Sequence, residues 1–285
     1  MSPGAGNRRS PASNAFKACL HACRHADMLA CMQICALTNL KGGVGKTAQT
    51  LGLAGAASET GRRVLVVDLD PQANATLCLA PDLDVDHALT INDVMVADQP
   101  GAITDAIRET SWTGVDLVPA QLELDAREAD SAANATHRLR RAMRGLAGYD
   151  LVLIDCRPSV GRLATNALVA AQTALIVTEP ERAAIRGIGE AMRHIQVVAE
   201  DLNPALHLGG IIINRVDSRK SEAAWRLTEI TDMYGTDVWQ PAIPDRTVVA
   251  QAFGAGVPVH TLPGPAAREV ASTYRAHLDH LLNRS

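Results

Sequence analysis

Lys41-Gly42-Gly43-Val44-Gly45-Lys46-Thr47 stands between an aliphatic run that reads as a strand, 34–38, and a helical pattern over 46–59. A glycine-rich turn that leaves a strand and opens a helix closes its backbone N–H groups on phosphate oxygens, and Gly42, Gly43 and Gly45 permit that turn. The side chains suit the same ligand. Lys46 neutralises β- and γ-phosphates, and the Thr47 hydroxyl binds Mg²⁺.

Outward from this loop, short aliphatic runs alternate with longer helical patterns. Further strands are expected at 63–68, 115–119, 151–155, 174–178, 209–214 and 237–239, with helices between them, for example 183–201 and 267–282. The alternation predicts an α/β fold: a doubly wound, mainly parallel sheet of about seven strands with helices on both faces. Ligands of such sheets sit outside the carboxyl ends of the strands.

Two of the strands end in acids. Val64-Leu65-Val66-Val67-Asp68-Leu69-Asp70-Pro71-Gln72 places two carboxylates at the end of a buried strand. Like charges there are costly unless a cation or an activated water accompanies them. Tyr149-Asp150-Leu151-Val152-Leu153-Ile154-Asp155 ends at the position of a Mg²⁺-holding carboxylate.

The standard phosphate loop has a glycine five places before Gly45, whereas this chain has Leu40 followed by Lys41. That form resembles the deviant Walker A group of P-loop NTPases, which includes ParA, Soj, MinD and nitrogenase iron proteins, and the resemblance runs from about residue 33 to the C-terminus. It implies an ATP-dependent homodimer in which Lys41 reaches across to the partner's phosphates, and it makes Val44 and Ala48 part of the nucleotide loop. The Asp68 to Thr76 segment is similar to the second ParA motif, which implies that Asp70 positions the attacking water while Asp68 supports the metal shell. Lys41, Lys46 and Asp70 are therefore the expected catalytic set, and Thr47, Asp68 and Asp155 the expected metal set. The resemblance also implies adenine contacts from Asn214 and from the loop at Pro244 and Asp245.

The chain departs from the family pattern at three places. Arg157 stands at the first of two usual prolines after Asp155, Ala48 replaces a threonine that helps bind the α-phosphate, and Asp245 stands where an arginine usually follows Ile243-Pro244. Asn214-Arg215-Val216-Asp217 also resembles the guanine-reading Asn-Lys-x-Asp. ATP is favoured, and GTP stays open.

Composition bounds the rest. Hydrophobic residues at 47% and charged ones at 20% fit a soluble globular protein. No apolar run approaches the roughly 18 residues of a membrane helix, so a cytoplasmic protein is expected. With 27 Lys plus Arg against 31 Asp plus Glu, the net charge of −4 excludes a globally basic nucleic-acid binder. Aromatics at 3% are too few for a single-strand stacking platform, which leaves duplex DNA held through phosphates by a local patch. Residues 1–32, with Pro3, Pro11 and an excess of cations, read as a flexible extension, and Met28 or Met32 is an alternative start. Residues 33–285 read as a single ATPase domain. Cys19, Cys23, Cys31 and Cys35, with His21 and His25, invite a metal site, but Cys35 falls in the first strand and reduced structural thiols are the better account.

Within the group, no cysteine here matches the cluster ligands of the nitrogenase iron proteins, and only three tyrosines are present, against the tyrosine cluster of the related kinases. The C-terminal segment is poor in the cations of a MinD membrane helix. The remaining resemblance is to ParA/Soj partitioning ATPases without a large N-terminal operator-binding domain. It implies a nucleoid-associated switch that binds duplex DNA without sequence preference and answers to a ParB-like centromere-binding partner, with no membrane contact. Arg219 matches a family DNA-contact position, with Lys220 adjacent. Arg186 and Arg193 share a helix face, for which a solvated surface is the other reading. Two alternative functions stay open: an ATP-dependent ligase or synthetase of the same fold acting on a small carboxylate, and a MinD-like positioning ATPase.

Overall fold

The computed structural model describes residues 32–217 and 219–283, and the expectations for the N-terminal extension and for Cys19, Cys23, Cys31, His21 and His25 lie outside them. In chain order the elements are β1 (Gln33–Thr38), α1 (Lys46–Glu59), β2 (Val64–Leu69), α2 (Asn74–Leu79), α3 (Ile91–Ala97), β3 (Arg108–Glu109) and β4 (Val115–Val118). There follow α4 (Arg138–Ala142), β5 (Leu151–Cys156), α5 (Arg162–Ala170), β6 (Thr173–Thr178), α6 (Ala184–Asp201) and β7 (His207–Ile213). The chain ends with α7 (Ser221–Tyr234), α8 (Thr247–Ala255) and α9 (Pro265–Asn283), and short 3₁₀ turns join several of these elements.

The seven strands form one sheet in the order β3-β4-β2-β5-β1-β6-β7, parallel throughout except for the β3–β4 pair. β1, β2, β5 and β6 are buried at every position, which is why they read as unbroken aliphatic runs. Alternate residues divide between the two faces. Cys35, Leu37, Val64, Val66, Leu151 and Leu153 join Leu53 of α1 and Val270 and Tyr274 of α9 in one core layer. On the other face α5 packs against β1, β2 and β5, with α4 and α6 beside it.

The expected strand at 237–239 is corrected by the structure. Gly235–Asp237 is a 3₁₀ turn, and only Val238 bridges to Ile211. Pro241 has no N–H to continue the ladder, so it is broken there, and backbone pairing resumes only at Ile243, whose N–H donates to the Ile213 carbonyl at 2.9 Å. Trp239 instead lies where Gly210 has no side chain, and its indole N–H donates to the Gly209 carbonyl at 3.1 Å. The seventh strand is the two-residue β3. Beside Trp239, His277 is fully buried, its Nε2 bonded to the Pro241 carbonyl at 2.8 Å and its Nδ1 without a partner. Burial lowers its pKa to about 4.

Candidate nucleotide site

The β1–α1 turn, the β2–α2 turn and the segment after β5 all lie at the carboxyl ends of neighbouring strands. Together with the residues after β7 and the start of α8 they enclose a cleft of about 660 Å³, lined by Gly43, Gly45, Lys46, Thr47, Ala48 and Asp70, and, opposite, by Asn214, Arg215, Pro244 and Asp245. Gly45 has φ 89°, a left-handed conformation that favours glycine. A Cβ there would also collide with the Asn214 amide. That amide donates to the Val44 carbonyl at 2.9 Å, and its oxygen accepts from Gln49 Nε2 at 3.0 Å. Asn214 is thus engaged in shaping the loop, while Pro244 and Asp245 face the cleft.

The two loop lysines take opposite dispositions. Lys46 is 6% exposed and its ammonium donates to the Lys41 carbonyl at 3.3 Å. Burial lowers its pKa, against the pull of Asp155. Lys41 stands exposed on the rim, paired with Glu181.

Behind the loop, Asp155 and Asp68 are neighbours across the β2–β5 register, both buried. The Asp155 Oδ1 accepts from the Thr50 hydroxyl at 3.2 Å. Its Oδ2 is buried with no hydrogen-bond partner, and burial followed by the Asp68 charge raises the pKa to about 7. An acid held this way is short of positive charge, so the site fits a divalent cation.

Asp68, expected to support the metal shell, lies beside Asp155 and also organises the turn that follows its strand. It accepts from the Thr76 N–H at 2.8 Å, from the Thr76 hydroxyl at 2.7 Å and from the Asp70 N–H at 3.2 Å. Both oxygens are engaged in organising the β2–α2 turn, and that turn carries Asp70 to the cleft. Its pKa is raised by burial to about 6.

Three residues that the sequence reading left in doubt or unassigned have definite places. Arg157, at the usual proline position, is bound to Asp125 at 2.5 Å and approaches Glu128 at 3.5 Å, so its side chain is held by carboxylates away from the cleft. Glu128 also accepts from the Arg162 N–H at 2.5 Å and the Ser159 hydroxyl at 3.4 Å. Arg215 has φ 53° and donates to the Gly43 carbonyl at 2.8 Å and to Glu179 at 2.7 Å. The sequence signal for Arg215 was its place in Asn-Arg-Val-Asp; Glu128 and Glu179 gave none.

The expected DNA residues lie outside the cleft. Arg219 is 86% exposed and grips Asp217 with two bonds of 2.9 and 3.1 Å, while Lys220 stands 3.9 Å from the same carboxylate. The Arg219 guanidinium holds the Asp217 carboxyl well below its usual range, at about 2. Arg186 pairs with Glu190 one turn along α6, and Arg193 is exposed on the same helix.

A parallel sheet with a glycine loop on one helix, a buried lysine inside that loop and an acid ending the adjacent strand defines a P-loop nucleoside triphosphatase. Residues 32–208 match the AAA domain family. The chain is 32% identical over 231 residues to the sporulation initiation inhibitor protein Soj of Bacillus subtilis, covering 80% of this chain and 90% of that protein. It is 33% identical over 233 residues to the chromosome partitioning protein ParA of Caulobacter vibrioides, covering 80% and 86%. Among solved structures it is similar to a cobyrinic acid a,c-diamide synthase from Mycobacterium smegmatis with bound ATP analogue and magnesium, at 33% identity and TM-score 0.75, over 89% of this chain and 95% of that one. McdA of Cyanothece in complex with ATP shares the fold, at 20% identity and TM-score 0.78, over 88% and 96%. The chain belongs to the ParA/Soj family of P-loop ATPases.

Proposed function

We propose that this protein is an ATP-driven switch for partitioning DNA, with residues 33–285 as its single ATPase domain. The observation that carries the reading is the division of labour between the lysines: Lys46 is buried inside its own loop, while Lys41 is exposed at the loop's outer end. Names among the relatives, chromosome partitioning protein ParA and Soj, point the same way. MgATP occupies the cleft, with the loop from Gly42 to Ala48 on the phosphates, Thr47 and Asp155 on Mg²⁺, and Pro244 and Asp245 beside the base. Mg²⁺ supplies charge neutralisation at the phosphates. Asp70 orients the attacking water. The closed homodimer holds duplex DNA through phosphates at Arg219 and Lys220, with Arg186 and Arg193 flanking, and a ParB-like partner triggers hydrolysis and release. The protein works in the cytoplasm on the nucleoid, and no helix among the described residues is long and apolar enough to cross a membrane.

The experiment is light scattering and DNA co-sedimentation of Asp70→Ala in saturating ATP. Losing a water-positioning carboxylate slows turnover by about 10² to 10⁴ while binding persists, so the variant accumulates as a DNA-bound dimer. Adding Lys41→Ala releases it. An Asp70→Ala protein that stays monomeric and off DNA overturns the proposal.

The 33% identity to a structure titled as a diamide synthase favours one second reading, an ATP-dependent synthetase acting on a small carboxylate. ATPase activity raised by small carboxylates, and unmoved by duplex DNA with a centromere-binding partner, would select it.

A further inference from the structure

We infer that the chain carries a second anion site, at the opposite end of the sheet from the nucleotide cleft, which binds a small phosphate monoester with an apolar body. A cavity of about 660 Å³ opens where β1 and β6 begin, beside Ile34 and Gln172. This volume lies in the range of small-molecule sites. Its apolar wall is Ile34, Met143, Val169 and Ala171, and its polar lining comes from α4 and the turn that ends it, together with Asp98, Asn134, Gln172 and Asn203.

That lining carries more positive charge than its surroundings neutralise. Arg138 is held by Asp130 at 2.5 Å, and Arg141 lies 3.8 Å from Asp98, which also accepts from the Asn134 amide at 2.5 Å. Arg140 and Arg144 line the same cavity, are exposed, and meet no carboxylate within ion-pair distance among the described residues. Arg140 lies in α4 and Arg144 in the turn that ends it, so their like charges face the same cavity without a carboxylate between them. The Arg141 Nε, in the same wall, is a buried donor with no hydrogen-bond partner. Two unpartnered guanidinium groups match the charge and the several oxygens of a phosphate dianion better than a single carboxylate, because each can donate two parallel bonds. The apolar wall below them takes a ring or chain. A concave site of this size favours a small ligand over the convex backbone of duplex DNA.

The test is calorimetry on the full-length protein with 1-naphthyl phosphate as probe and excess MgADP to fill the nucleotide cleft. Saturable binding of one probe per chain is expected, with inorganic phosphate weaker. Arg140→Gln/Arg144→Gln should weaken the probe about tenfold or more at an unchanged melting temperature. Arg140→Lys/Arg144→Lys, which keeps the charge but loses the fork, should fall between. No saturable binding, equal affinity in the wild type and the Gln variant, or phosphate binding as tightly as the naphthyl ester overturns the inference. So does a Gln variant that loses duplex-DNA binding with its probe affinity unchanged.

Discussion

Asp155→Asn separates the cation-holding role of this acid from a purely structural one. In water an aspartate releases its proton near 3.8, and in the fold Asp155 does so only at about 7. At 1.36 kcal/mol per pH unit, keeping it ionised above pH 7 costs about 4 kcal/mol of stability. The sign follows from the raised value: the cost is absent below the unfolded pKa, grows as pH rises, and is complete above the folded pKa. An amide removes the charge, although its NH₂ finds no acceptor at the buried Oδ2 position, which returns about 1–3 kcal/mol. Without nucleotide, Asp155→Asn should therefore be about 1–3 kcal/mol more stable than the wild type at pH 8, and by pH 4, with the wild-type acid protonated, it should be the less stable of the two. Nucleotide reverses the comparison. At a hundredfold excess over its Kd, a slowly hydrolysed ATP analogue with Mg²⁺ stabilises the wild type by about 2.7 kcal/mol, and a hundredfold loss of affinity leaves the variant about 0.4 kcal/mol. Urea denaturation with and without the ligand measures both. A variant that is less stable without nucleotide at pH 8, or one that gains as much as the wild type from the analogue, refutes the reasoning.

Three further outcomes are expected. Lys46→Ala should abolish nucleotide binding in calorimetry, because the buried ammonium is the point charge on the phosphates. His277, whose pKa is lowered to about 4, should make the fold lose up to about 3 kcal/mol as pH falls from 6.5 to 4, and His277→Gln should flatten that part of the stability curve. Arg219→Glu should weaken ATP-dependent binding to arbitrary duplexes and lower its salt dependence, whereas a strong preference for one sequence would contradict phosphate-based contact.

The sheet was legible because parallel strands buried on both faces must be aliphatic throughout. The same signal failed at its edges. Arg108–Glu109 forms a strand with no aliphatic run, since a two-residue antiparallel edge needs only backbone pairing, and 237–239 looked like a strand because Val238 and Trp239 are core residues for another reason. At the site, loop spacing pointed to Lys46 and Thr47 and strand ends to Asp70 and Asp155, and the structure brings Lys46, Thr47 and Asp70 to one cleft; Lys41 was marked only by the family resemblance. The partners of Asp68 and Asn214 could not be read, because they are Thr76 and Val44, residues whose positions only the folded chain reveals. Arg157 shows the same limit: its partners Asp125 and Glu128 lie about 30 residues earlier, on a segment with no motif.

α5 is a rod of nine residues, about 14 Å long, with its first turn at the segment that follows Asp155 and its last at the wall of the arginine-rimmed cavity. Its near end is anchored by the Arg162 N–H on Glu128, and midway Asn166 accepts from the Leu139 N–H of α4 and donates to the Ala135 carbonyl just before that helix. A stiff body gripped at one end and at its middle transmits displacement in either direction. If nucleotide turnover shifts the segment at Arg162, the cavity at Ala170 changes shape with it, and by thermodynamic reciprocity a molecule lodged in that cavity must alter nucleotide affinity by the same factor.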